Sequence, residues 1–433
     1  MEAWNKGMLK SLLVPGGLLL LVAAVLLRSG VVPISASAIA FYYYSVFAAG
    51  VVLAWRFHSS QVLFGLVFLF LANRAVEFFS SSHAVSAGPG RIAFEAIAFL
   101  LPINLVALSL SRERGLRLSA VGSRLGSLFV QSVFVAVICS PGSTKGPAFL
   151  RFEIFSRNWF RWTPLPQLSL FILLAVVILL IVRILSYRKP VDGGFLWALL
   201  ATFAAFQSGI VGKTATAYWA TAALALLSSI IETSYAIAYH DELTALPGRR
   251  AFNDALLRLE KPYAIAAVDI DHFKSVNDTY GHETGDHVLR MVAGRLARVT
   301  GGGTAYRVGG EEFSILFSGK SVKDLGTHLE ELRVAIENST FRFRGGQERR
   351  TSPRGPDRRT SARKKKTPPA RDVYRDGLSV TVSIGVAEPT SQMTEPQQVI
   401  EAADKALYRA KRSGRNRIEL AGTSRPRAKR SIA

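Results

Sequence analysis

Between Ala305 and Phe317 the sequence reads AYRVGGEEFSILF, with Gly309 and Gly310 directly before Glu311 and Glu312. The flanking runs read as β-strands and Gly-Gly as the turn of a hairpin. Glycines there can take positive φ and leave room above the backbone, so a flat or charged ligand can approach closely. Glu311 and Glu312 then sit at the tip. A third carboxylate, Asp269, ends the apolar run YAIAAVDIDHF (Tyr263–Phe273), where α/β sheets place ligands. Carboxylates gathered with waters and a triphosphate are how Mg²⁺ is usually held, by hard oxygen ligands around an octahedral ion. Lys274, Lys411 and Arg415 supply basic groups for the phosphates. Taken alone, the pentapeptide reads more plainly as a charged hairpin tip.

The elements that must position these groups lie beyond His240, where Asp, Asn and Gly turns and mixed periodicities replace long apolar blocks. HDELTALPGRRAF reads as a turn at Pro247-Gly248 leading into a helix. Tyr263–Phe273 suits a buried strand. GDHVLRMVAGRLARV (Gly285–Val299) has helical spacing, and the region Val322–Glu337 reads as another helix. LSVTVSIGVA (Leu378–Ala387) reads as a strand. PQQVIEAADKALYRAKRSG (Pro396–Gly414) reads as an amphipathic helix closed by glycine. Helices and strands in this order predict one α/β domain over 241–420, with a central, mostly antiparallel sheet.

One segment does not fit that domain. Between Phe343 and Gly377 the chain is rich in Arg, Lys, Pro and Ser, and Arg342–Asp376 holds thirteen basic residues against four acidic. It lacks the apolar content to fold, so 344–377 is expected to be a disordered loop interrupting a hairpin. It suits anionic lipid head groups or nucleic acid, with a solvated insertion lacking a specific partner as the equal alternative. No specific nucleic acid is expected as a partner. Residues 421–433 form a basic tail.

The first 240 residues have a different character. A net charge of +22 across 433 residues points to phosphates, nucleic acid or an anionic membrane surface. A mean hydropathy of +0.24 points to a membrane. The single cysteine, Cys139, excludes an internal disulfide framework. Eight apolar blocks follow one another, at 12–27, 36–57, 62–79, 92–110, 126–139, 168–185, 195–211 and 215–238. Several approach the ~20 residues that cross a bilayer as a helix. The third, with Arg74 and Glu77, and the short fifth are the weakest. For the first, preceded by Lys6 and Lys10, the alternative is a cleaved signal peptide. About eight spans with the N-terminus inside put Arg112, Arg114, Arg117, Arg124, Arg188 and Lys189 on the cytoplasmic side. The loop with Lys145, Arg151, Arg157 and Arg161 falls outside, a mild conflict with that rule. An even count leaves the second domain in the cytoplasm, joined with almost no linker. Six or seven spans would also fit.

GGEEF, together with DELTALPGRR, DIDHFKSVNDTYGHETGD, SVTVSIGVA and ADKALYRAKRSGRNR, resembles the GGDEF family of bacterial diguanylate cyclases. The resemblance runs from Asp241 to about Ile418, apart from the insertion. It implies a nucleotidyl-cyclase-like fold, and condensation of two GTP molecules into cyclic di-GMP and two pyrophosphates across a homodimer. It also implies roles for particular residues. Asp269, the Ile270 carbonyl and Glu311 match the metal ligands, for Mg²⁺ or alternatively Mn²⁺, and Glu312 supports them. Glu311 also matches the general base. Lys274, Lys411 and Arg415 match phosphate contacts. Asn277 and Asp286 match the guanine readers, and His282, Gly309 and Gly310 line the substrate. A carboxylate suits guanine because it accepts from both N1–H and the 2-amino group.

Some positions depart from the family pattern. Ala245 stands where glycine is usual and Gly248 where asparagine is usual, so altered local structure with retained activity is expected. Thr300-Gly301-Gly302-Gly303 replaces the Arg-x-x-Asp product-binding site of many relatives, so feedback through that site should be missing. The leading reading is a multi-pass cyclase of the bacterial inner membrane, whose membrane domain is a candidate sensor. The alternative is a catalytically silent module that binds GTP or cyclic di-GMP and regulates by contact. A transporter finds little support, because charge within the blocks is confined to Arg56, Arg74, Glu77, Glu95, Arg183 and Glu232.

Overall fold

The computed structural model describes residues 14–29, 34–80, 88–113, 115, 118–140, 146–187, 189–341 and 378–422. The insertion at 344–377, the tail beyond 422, and Lys6, Lys10, Arg114, Arg117, Lys145 and Arg188 lie outside the described residues. The chain divides into two compact units, Met1–Tyr235 and Ala236–Ala433.

The apolar blocks of the first unit become α1 (Gly16–Ser29), α2 (Ala36–Arg56), α3 (Ser60–Ser80), α4 (Pro89–Leu110), α5 (Leu118–Ile138), α6 (Gln167–Tyr187), α7 (Pro190–Gln207) and α8 (Lys213–Tyr239). Among the described residues, six of these are long and apolar enough to cross a membrane. The third and fifth blocks, the weakest in the sequence, are among the six, because their helices extend to 21 residues. The helix α1 has only 14 described residues, and α7 is 18 residues long with Asp192 in its first turn. Buried charge in this unit is paired, as desolvation demands. Asp192 is 1% exposed and accepts from Ser109 Oγ at 2.6 Å and Arg183 Nη2 at 3.2 Å. Glu113 accepts from the Ser60 and Gln61 backbone N–H groups at the start of α3, satisfying donors that a helix N-terminus leaves free.

The second unit is built on a five-stranded sheet. Its strands are β1 (Tyr263–Ile270), β2 (Gly303–Arg307), β3 (Glu312–Ser318), β6 (Val382–Ala387) and β7 (Ile418–Leu420), in the order β2-β3-β1-β6-β7. All neighbours are antiparallel except β6 and β7. Two short strands, β4 (Thr340–Phe341) and β5 (Leu378–Ser379), pair antiparallel on either side of the insertion. The central β1 is buried along its whole length, which is why it reads as a continuous apolar run. Its residues nonetheless alternate between two cores. Ala264, Ala266, Val268 and Ile270 pack with α11 (His282–Leu296) and α12 (Gly326–Glu337). Tyr263, Ile265 and Ala267 face α9 (Arg249–Leu256) and α13 (Pro396–Arg412). Gly385 lets α13 lie directly on β6, since a Cβ there would collide with the Leu407 N and the Ala403 carbonyl.

Candidate active site

Period-two alternation puts Asp269 on the α13 side of β1, in line with Tyr263, Ile265 and Ala267. Strand register does the rest. Asp269 pairs with Glu312 on β3 and with Ser383 on β6. Glu311, one residue earlier, closes the loop that joins β2 to β3. From α13, Lys411 reaches back so that its Nζ lies 2.8 Å from Asp269 Oδ2. The structure therefore brings together Asp269, Glu311, Glu312 and Lys411.

The electrostatics follow from that assembly. Burial pushes the Asp269 carboxyl up, Lys411 opposes it, and Glu312 and Asp271 add to it. Glu311 is raised by burial and then by Asp269, with Lys411 opposing and Glu312 reinforcing. On α13, Asp404 is raised by burial and by Glu312 and Glu401. Asp404 precedes Lys411 by two helical turns and shares its face. Carboxylates that penalise one another's ionisation in this way fit a cation. Among the described residues, no group of three acidic, histidine or cysteine side chains could enclose a metal by itself. A divalent ion here would complete its shell with water, the Ile270 carbonyl and phosphate oxygens, which suits Mg²⁺.

The turn is built differently from the expectation. Neither Gly309 nor Gly310 is among the residues with positive φ. Gly309 instead leaves space for the Glu312 carboxylate, which a Cβ there would displace. The Val308 and Gly309 N–H groups donate to the Glu312 carbonyl at 3.0 and 3.2 Å. Arg307 pins the loop from below, with Nη2 donating to the Gly310 carbonyl at 2.7 Å and Nη1 to Asp241 Oδ1 at 2.7 Å. Burial alone would raise the Asp241 pKa, but hydrogen bonds from Thr244 and Arg307 hold it below the ordinary value.

Ala245 occupies its family glycine position at φ 59°, the left-handed region. The turn is kept, closed by Ala245 N to the Asp241 carbonyl at 2.8 Å. The alanine costs about 1–2 kcal/mol there.

The remaining site residues lie on neighbouring elements and share no described hydrogen bond or ion pair with the three carboxylates. Lys274 and Asn277 are on α10 (Phe273–Tyr280), and His282 and Asp286 are on α11. Lys274 and His282 are exposed, while Asn277 and Asp286 are half-buried. The Asn277 amide rests against Gly285, where a Cβ would collide with it. Arg415 follows α13 at φ 63°.

Asp271 was missed as a site residue. It is 5% exposed and accepts from Ser383 Oγ at 2.6 Å, Thr381 Oγ1 at 2.7 Å and Asn416 N at 3.0 Å. It thereby fixes the loop that carries Arg415. Arg307, Asp241 and Asp404 were missed as well. Each lies within a quoted motif, and Asp404 is also spaced two helical turns from Lys411. At the Arg-x-x-Asp positions, Thr300 Oγ1 lies 2.7 Å from His328 Nδ1, and Gly301 and Gly302 both have positive φ.

Residues 238–352 and 358–417 match the family model described as diguanylate cyclase, GGDEF domain. Diguanylate cyclase DgcP of Pseudomonas aeruginosa is 35% identical over 192 residues, 42% of this chain and 24% of that protein. Response regulator PleD of Caulobacter vibrioides is 32% identical over 200 residues, 44% of this chain and 38% of that protein. A crystal structure of the coiled coil and GGDEF domain of DgcB from Caulobacter crescentus, in complex with c-di-GMP, is 33% identical. It covers 44% of this chain and 90% of that one, with a TM-score of 0.35. The chain spans less than half the length of these two curated relatives. GGEEF follows β2, DIDHFK runs on from the end of β1 and the α13 motif supplies Lys411, and the second unit of this chain carries a GGDEF domain of the diguanylate cyclase family.

Proposed function

We propose that the protein is a membrane-bound diguanylate cyclase that condenses two GTP molecules into cyclic di-GMP and two pyrophosphates. The observation that carries this reading is the pairing of Asp269 with Glu312 beside Glu311, with Lys411 on the Asp269 carboxylate. Asp269, Glu311, Glu312 and the Ile270 carbonyl would hold a divalent cation, Mg²⁺ or Mn²⁺. When bound, that ion offsets triphosphate charge and makes the attacking hydroxyl more acidic.

The chain's own residues do the rest. Lys411 exchanges its carboxylate partner for phosphate oxygens when nucleotide arrives, joined by Lys274 and Arg415. Asp286 accepts from the guanine N1–H and 2-amino group, Asn277 adds its amide at the guanine edge, and His282, Gly309 and Gly310 border the nucleotide. The 3′-oxygen of one nucleotide attacks the α-phosphorus of the other. Glu311 takes the hydroxyl proton, the bond to the β-phosphate oxygen breaks, and pyrophosphate leaves. Each chain holds one GTP, so two chains must face each other, and positioning supplies most of the acceleration. The six long apolar helices support placement in the inner membrane, with the catalytic unit in the cytoplasm.

The test is incubation of the detergent-purified full chain with GTP and Mg²⁺, with products separated by chromatography. Cyclic di-GMP and pyrophosphate in a 1:2 ratio are expected. GTP bound but unchanged would leave a silent regulatory module.

A further inference from the structure

Within the N-terminal unit, the start of α4 and the segment 151–167 enclose a polar cavity of about 470 Å³. Its base is Glu95, only 3% exposed on a largely apolar helix. A lone carboxylate there would be costly to bury. Two guanidiniums hold it, Arg91 through Nε at 2.9 Å and Arg151 through Nε at 2.7 Å. Arg91 Nη2 also donates to the Pro164 carbonyl at 2.8 Å.

This arrangement leaves the two Nη groups of Arg151 without a protein acceptor among the described residues, on a side chain that lines the cavity and is 37% exposed. Arg157 stands at the rim, 84% exposed, 4.0 Å from Glu153. Three guanidiniums against Glu95 and Glu153 give the cavity a positive surplus. Its wall is braced, because buried Gln167 accepts from the Ile154 and Phe155 N–H groups at 2.9 Å and donates to the Phe155 carbonyl. Phe160 and Leu165 add an apolar side.

A guanidinium whose Nε is committed still offers two parallel donors, a match for a carboxylate or phosphate group. Because Glu95 already fixes Arg151, little side-chain freedom remains to be lost on binding. We propose that this cavity binds a small organic anion. Its oxyanion lies on the Arg151 Nη groups beside Arg157, and its carbon part lies against Phe160 and Leu165. The anion is either a free solute or the head group of an anionic phospholipid, which present the same chemistry. The proposal does not depend on the catalytic reading.

The test uses the full chain in phosphatidylcholine nanodiscs, without GTP. Calorimetric titration with benzoate, succinate and inorganic phosphate is followed by native mass spectrometry in mixed phosphatidylcholine and phosphatidylglycerol. Saturable binding of benzoate or succinate at one site per chain is expected. Arg151→Gln should weaken it at least tenfold, Arg157→Gln several-fold, and Arg161→Gln not at all. Arg157 is exposed, so its variant carries the test if Arg151→Gln fails to fold. Displacement of the probe by phosphatidylglycerol, or retention of that lipid by wild type and not by the variants, assigns the head group. Probe binding unaffected by the lipid assigns a free solute. Inorganic phosphate binding alone would overturn the organic part of the proposal. No saturable probe and no retained anionic lipid, or binding unchanged in both arginine variants, would overturn all of it.

Discussion

Asp269 and Glu311 are held where ionisation is unfavourable, and this has a sign. Their pKa values are raised on folding, so the folded chain binds these protons more tightly than the unfolded one. Their contribution favours folding at acid pH and is lost as pH rises from about 4 through the raised folded values. At neutral pH without a cation they oppose folding. Glu311→Gln should therefore raise the melting temperature at pH 7 in chelator, by an amount that shrinks as pH falls toward 4. Differential scanning calorimetry of the two proteins checks this, and a lower melting temperature for the variant would contradict it. Asp269, Glu311 and Glu312 were legible in the sequence because each sits in an uninterrupted motif. Arg307 and Asp241 were not, since they meet across 66 residues of chain. Of the two roles expected of the glycines, positive φ is absent from both, while the open space above the backbone is present at Gly310. Gly309 makes room for the Glu312 side chain and does not supply a positive φ.

Strand β1 and helix α13 were readable as elements from their apolar periodicity, yet periodicity could not say how they are tied together. That tie is Asp271, which joins the end of β1 to Thr381, Ser383 and Asn416. Hydrogen bonds to a buried carboxylate contribute about 1.5–3 kcal/mol each, and their loss strands the partners. Asp271→Ala should cost on the order of 3 kcal/mol by denaturant unfolding. It should also raise KM for GTP more than it lowers kcat, because the Arg415 loop loses its anchor. Equal loss of both would place Asp271 in the chemistry itself. A second device of this scale is the segment at Thr300–Gly303, where neither an arginine nor an aspartate is present. Added cyclic di-GMP should inhibit turnover only weakly. Strong inhibition unaffected by changes in that segment would locate product binding elsewhere.

At the scale of the molecule, composition alone separated an apolar half from an α/β half, and the two compact units divide within a few residues of that change. Counting spans was harder. Hydropathy finds eight blocks; among the described residues, the 14 of α1 and Asp192 in α7 set these two apart from the six that qualify. Under the proposed mechanism two chains face each other, so the rate per chain should rise with concentration in detergent and level off once dimers dominate. Full activity from a dilute monomer, verified by light scattering, would contradict this. The central claim is that Asp269 and Glu311 assemble a cyclase centre. It is tested most directly by measuring GTP binding and cyclic di-GMP formation together in wild type, Asp269→Ala and Glu311→Ala. Loss of one preorganised electrostatic contact typically costs about 10²–10³ in kcat. Product formation should fall by at least about 100-fold in both variants while the fold and nucleotide binding persist. Wild-type turnover in either folded variant, or no cyclic di-GMP from a wild type that binds GTP, would contradict it.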